Sequence, residues 1–109
     1  MSAATAIAFY GIRLTIREDE LSALEDRSHP ALLNARKAGL QHYWGKFGGD
    51  PDSYYLFIGK LLGKIGVEDA IELRIDIHEL VQSDPEVSRK LSDAGFSEAP
   101  TLLFQFQPD

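Results

Sequence analysis

Residues 42–57 concentrate the side chains best suited to holding a ligand: His42, Tyr43, Trp44, Phe47, Tyr54, Tyr55 and Phe57. Six of the chain's eleven aromatic rings lie here, with the sole Trp and one of three His. Rings bury a large area with few rotatable bonds, and Tyr, Trp and His keep a polar tip that can orient a bound molecule. The same residues also suit a β-hairpin whose rings form core and cross-strand pairs. Strand alternation would then turn about half of them away from the face that carries Trp44. Within and just beyond this run, His42, Trp44, Tyr55 and Lys60 are the candidate ligand contacts. Lys46, Lys60 and Lys64 could gather at one end of the hairpin and hold an anion. If the first strand shares a sheet with the hairpin, Tyr10, Arg13, His42 and Tyr55 could also converge.

Other chemistries fare worse. Gly59-Lys60-Leu61-Leu62-Gly63-Lys64-Ile65-Gly66 resembles a phosphate loop only superficially. It has three residues between the first glycines where four are needed, and Ile65 stands where a hydroxyl should reach magnesium. The histidines His29, His42 and His78 share no helical i, i+4 spacing, and no HExxH run occurs. Asp50 and Asp52 sit in a turn without the ordered oxygen series of a calcium loop. No Ser lies in a G-x-S-x-G elbow. The sequence thus directs expectation away from catalytic residues, a cofactor or a metal.

Composition narrows the partners. The 109 residues carry 17 acids and 11 bases, a net charge of −6. Nucleic-acid backbones and anionic membranes are bound mainly through Lys and Arg, so neither is expected as a partner. With no cysteine there is no disulfide, thiol nucleophile or thiolate metal site. The apolar start lacks the leading basic residue of a signal peptide, and no run approaches the ~20 apolar residues of a membrane span. A cytoplasmic location is the expectation.

These residues need a scaffold, and periodicity supplies one. Residues 6–16 alternate, with Tyr10, Ile12, Leu14 and Ile16 on one face and Arg13 and Thr15 on the other. Glu18, Asp19 and Glu20 then open a short helix. Ser28-His29-Pro30 starts a second, with Ser28 as the expected cap and Gly39 as its stop. Residues 41–47 and 54–62 read as paired strands around the turn-rich run 48–53, with 63–66 as a loop. Residues 70–75 alternate as a further strand. Asp76 caps a short helix, and Asp84-Pro85 begins another that stops at Gly95. A last strand at 101–107 puts Leu102, Phe104 and Phe106 on one face.

The expected fold is therefore one α+β domain over residues 1–109. Its order is β-αα-βββ-αα-β, a five-stranded, mainly antiparallel sheet with helices packed on one face. The expected function is a noncatalytic protein-interaction domain, either a homodimer or a binder of a basic protein. The alternative is a small-molecule-binding protein or small enzyme with its site along 42–60.

Overall fold

The computed structural model describes residues 5–46, 54–66 and 70–107. The turn expected at 48–53, together with Phe47, Asp50 and Asp52, lies outside the described residues. The fold is α+β. Strands β1 (Thr5–Ile16), β2 (Gln41–Lys46), β3 (Tyr54–Gly66) and β4 (Thr101–Gln107) form one antiparallel sheet in the order β2-β3-β1-β4. A 3-10 turn at Glu18–Glu20 leads into α1 (Leu21–Glu25), which is followed by α2 (Pro30–Lys37) and α3 (Ile77–Asp93).

The alternation of β1 divides the core between the two faces of the sheet. Ile12 and Ile16 join Leu56 and Ile58 of β3, Leu24 of α1, Ala35 of α2, and Val87 and Leu91 of α3 in the larger buried cluster. Burying each Leu- or Ile-sized side chain stabilises the fold by about 1.5–3 kcal/mol. On the other face, Ile7, Phe9 and Phe57 are buried beneath Tyr43, Tyr55, Leu61 and Leu103. The rings of Phe9 and Phe57 meet at 5.8 Å with their planes 42° apart. All three helices contribute to the first cluster and none to the second.

Both longer helices end as the sequence foretells. Past α2, Gly39 N–H donates to the Arg36 carbonyl and Leu40 N–H to Ala35; past α3, Gly95 donates to Ser92 and Phe96 to Leu91. This paired pattern needs a left-handed residue between the two donors' turns, and Gly39 (φ 78°) and Gly95 (φ 91°) supply it. The amino-terminal cap of α2 differs from expectation. His29 Nδ1, not Ser28, accepts the Ala31 N–H at 3.1 Å, while the Ser28 hydroxyl turns back to the Ala23 carbonyl.

Three other expectations are corrected. The sheet has four strands, because residues 70–75 form only an isolated bridge, Ala70 to Ile65. Leu73 explains why. Its side chain lies over Gly63, so close that a Cβ built on Gly63 would fall 2.5 Å from Leu73 Cδ1. The segment therefore packs on the sheet instead of extending it. Residues 63–66 are not a loop: β3 continues to Gly66 alongside β1, with a register shift that leaves Leu62 unpaired. Finally, the stretch expected to hold two helices is one, α3, with Pro85 inside it. Proline forfeits one backbone hydrogen bond. Asp76 Oδ1 offsets this at the start by accepting the His78 and Glu79 N–H groups, and Val87 and Leu91 hold the far half in the core.

Candidate functional site

The sheet separates the four candidate ligand contacts. His42 and Trp44 lie on the helix-bearing face of β2, opposite Ile58 and Leu56. Trp44 is half-buried against the larger core cluster. His42 is exposed; loss of water around its ring, then the charges of Arg36 and Arg27, hold its pKa below the ordinary histidine value. Tyr55 lies on the opposite face, with the Arg13 guanidinium carbon 4.4 Å from its ring centroid. Arg13 and Tyr55 thus meet as the sequence suggested, while Tyr10 and His42 lie on the far side of the sheet. The three lysines do not gather either. Lys46 stands opposite Tyr54 at the end of β2, and Lys64 sits on the face away from the helices, 4.6 Å above the Tyr43 ring.

Lys60 alone faces a sizeable cleft, an open groove of about 390 Å³ between α3 and the sheet. Gln41, Gly59 and Lys60 line it from the strands, and Ser83, Glu86 and Lys90 from the helix. Its charges are already matched. Lys60 Nζ donates to Ser83 Oγ at 2.9 Å, and Lys90 Nζ pairs with Glu86 Oε1 at 2.8 Å. Lys90 first, then Arg89 and Lys60, holds the Glu86 carboxyl below the usual range. Among the described residues, no aromatic side chain lines this groove. Among the described residues, no three His, Asp or Glu side chains come together as a metal site.

The largest exposed apolar side chains lie elsewhere, on β4 and on the amino-terminal half of α3. Register places Leu102 opposite Tyr10, Phe104 opposite Ala8 and Phe106 opposite Ala6, all on the helix-bearing face. Tyr10 donates its hydroxyl hydrogen bond to Asp84 Oδ1, which also accepts from Ser88. That bond pushes the Tyr10 pKa up to about 12, with burial and the carboxylate's charge adding to the effect. It also fixes where α3 crosses β1. From Asp84, Val87 and Leu91 run over the Ile12–Ile16 end of the sheet. The preceding turns line a cleft with Lys60, Leu61 and Leu62 of β3 through Asp76, Glu79 and Leu80, which leaves Ile77 and Val81 on the flank of α3 turned away from that cleft. Among the described residues nothing covers these side chains: Phe104 is 65% exposed, Phe106 57%, Ile77 62% and Val81 64%.

The chain matches no family model, no curated protein and no solved structure. The reading of the site therefore rests on its own geometry.

The sequence held a signal for this strip. Val87 and Leu91 already give α3 a stripe with which to dock, so Ile77 and Val81, four apart, are surplus to that purpose. In β4, Leu102, Phe104 and Phe106 share a face as expected. Periodicity shows that side chains share a face, but not whether anything lies above it.

Proposed function

We propose that the chain is a noncatalytic, cytoplasmic protein-interaction domain that meets its partner through the strip formed by β4 and the first half of α3. The observation that supports this reading is the exposure of Phe104 and Phe106 beside Ile77 and Val81. Contiguous exposed apolar surface on a protein marks contact sites, and aromatic side chains are enriched at the centres of interfaces. Two partners suit the chain: a second copy, or a basic protein drawn by the net charge of −6.

A photo-reactive phenylalanine analogue placed at position 104 tests the reading in the producing cell. Cross-linking to protein at 104, above that from the exposed position Thr15 on the opposite face, is the expected outcome. Equal yields at the two positions would remove the basis for this interface.

A second reading, a small-molecule site in the groove, draws support from Lys60 and Lys90, which line it from two different elements. Inorganic phosphate is a suitable probe. Binding there should raise the melting temperature in proportion to ligand concentration. Lys60→Ala should abolish that rise, and no rise with the native chain would end the reading.

A further inference from the structure

We infer that the strip is a self-association surface, in which a second copy of the chain pairs edge to edge through β4 in an antiparallel register centred on Phe104. The inference rests on the interaction reading above and names its partner.

The first argument is area. A fully exposed large apolar side chain presents on the order of 150–200 Å². The exposed fractions of Leu102, Phe104, Phe106, Ile77 and Val81 then provide roughly 430–570 Å². Ile65 stands opposite Ala6, in the same row as Phe106. With Ile65, 36% exposed, the apolar surface grows to roughly 480–640 Å². A standard stable interface buries about 800 Å² per partner. The strip is therefore large enough to supply more than half of a dimer contact, with main-chain pairing along β4 adding to it.

The second argument is the edge itself. Folded proteins commonly guard an open edge strand with charge, proline or a bulge. The seven residues of β4, Thr-Leu-Leu-Phe-Gln-Phe-Gln, contain no charge and no proline, and their register with β1 is unbroken. A basic partner would look for carboxylates beside the strip, and β4 offers none.

The third argument is symmetry. Antiparallel pairing of identical strands has a two-fold axis perpendicular to the sheet, and residues opposite each other share a face. Centred on Phe104, this register sets Phe104 against its own copy and Leu102 against Phe106 of the second copy. Both helical layers then lie on the same side. The Ile77–Val81 stripes of the two copies flank one apolar trough above a continuous eight-stranded sheet.

The absence of cysteine makes the register directly testable. Phe104→Cys places two thiols on the axis, where paired Cα atoms lie about 4.5–5.5 Å apart, within disulfide reach. Mild oxidation should trap a covalent dimer at Phe104→Cys and not at Thr15→Cys. Light scattering of the native chain should rise towards twice the chain mass of 12.1 kDa with concentration. Phe104→Glu should weaken association at least ~10-fold while leaving the circular dichroism spectrum unchanged.

A native chain that stays monomeric into the hundreds of micromolar overturns the dimer. So does a dimer that survives Phe104→Glu and shows no trapping at 104. In either case photo-cross-linking at 104 separates the two ideas. Adducts with another protein leave the interaction reading standing, and their absence removes both.

Discussion

The two edges of the sheet are built differently. At one, β2 carries Lys46 and His42, and its Trp44 leans into the core that α1, α2 and α3 share. The hydrophobic face of that edge is used up inside the molecule. At the other, β4 contacts β1, presents Phe104 and Phe106 to solvent, and contributes neither to the helix-side cluster. Its half-buried apolar residue, Leu103, points to the opposite face, against Ile7, Phe9 and Phe57. The contrast shows that apolar content alone does not locate a core. The coverage supplied by the three helices does, and among the described residues it runs out before reaching β4.

The largest test of this contrast is stability. Leu56, fully buried beside Trp44 at the β2 side, should cost about 2–5 kcal/mol as Leu56→Ala. Phe104→Ala should cost less than about 1 kcal/mol in the monomer, since little of its ring is withdrawn from water. Urea titrations at low protein concentration measure both. Similar losses would mean that β4 is as much a part of the core as β2.

Next comes the bond that positions α3 between the two edges. Tyr10→Phe leaves a carboxylate short of one donor and should cost about 1–3 kcal/mol. It should also alter the alkaline limb. The Tyr10 pKa is raised to about 12 in the folded chain, so the folded state holds its proton after the unfolded state has released it. That contribution is complete below about pH 10 and is lost as the pH climbs towards 12. Stability of Tyr10→Phe should fall less over this interval than that of the native chain.

A smaller effect lies at the helical buttress on the β2 side. His29 Nδ1 accepts the Ala31 N–H, so Nε2 carries the proton and donates to Glu20 at 2.7 Å. This bond, then the Arg17 N–H, holds the Glu20 carboxyl below its ordinary value. A lowered carboxyl stabilises the fold above the unfolded pKa, and the contribution disappears as pH falls through the folded one. Glu20→Gln should flatten the acid limb of a stability–pH curve. An unchanged slope would leave the His29–Glu20 bond without a role in joining α1 to α2.

The finest measurement is amide exchange. The outward N–H groups of β4 should gain protection as protein concentration rises, and those of β2 should not. Equal concentration dependence at both edges would erase the distinction between them.

Much of the scaffold was legible in the residues. Alternation in β1 correctly grouped Tyr10, Ile12, Leu14 and Ile16, and the helix-ending glycines Gly39 and Gly95 fell where they were expected. The failures share a cause. The pattern at 70–75 satisfies a strand, but Leu73 gains more by sitting in the space that Gly63 leaves, a contact no local rule contains. Pro85 reads as a break, yet the Asp76 cap before it and the burial of Val87 and Leu91 after it carry α3 through. The candidate contacts were less legible than the fold. Alternation could warn that Tyr55 and Trp44 would part, but not that Lys60 would find Ser83. The exposure of Phe104 depends on where α3 ends over the sheet, which is a property of the whole chain.

One consequence follows from the order β2-β3-β1-β4. The strand nearest the amino terminus is an interior one, and its neighbour on one side is the last strand, with Thr5 set against Gln107. During synthesis β1 can zip to β3 once residues 54–66 leave the ribosome, but its other flank must wait for residues 101–107. Until then Ile7 and Phe9 lack the cover of Leu103, and the nascent chain is at its stickiest between the emergence of β3 and that of β4.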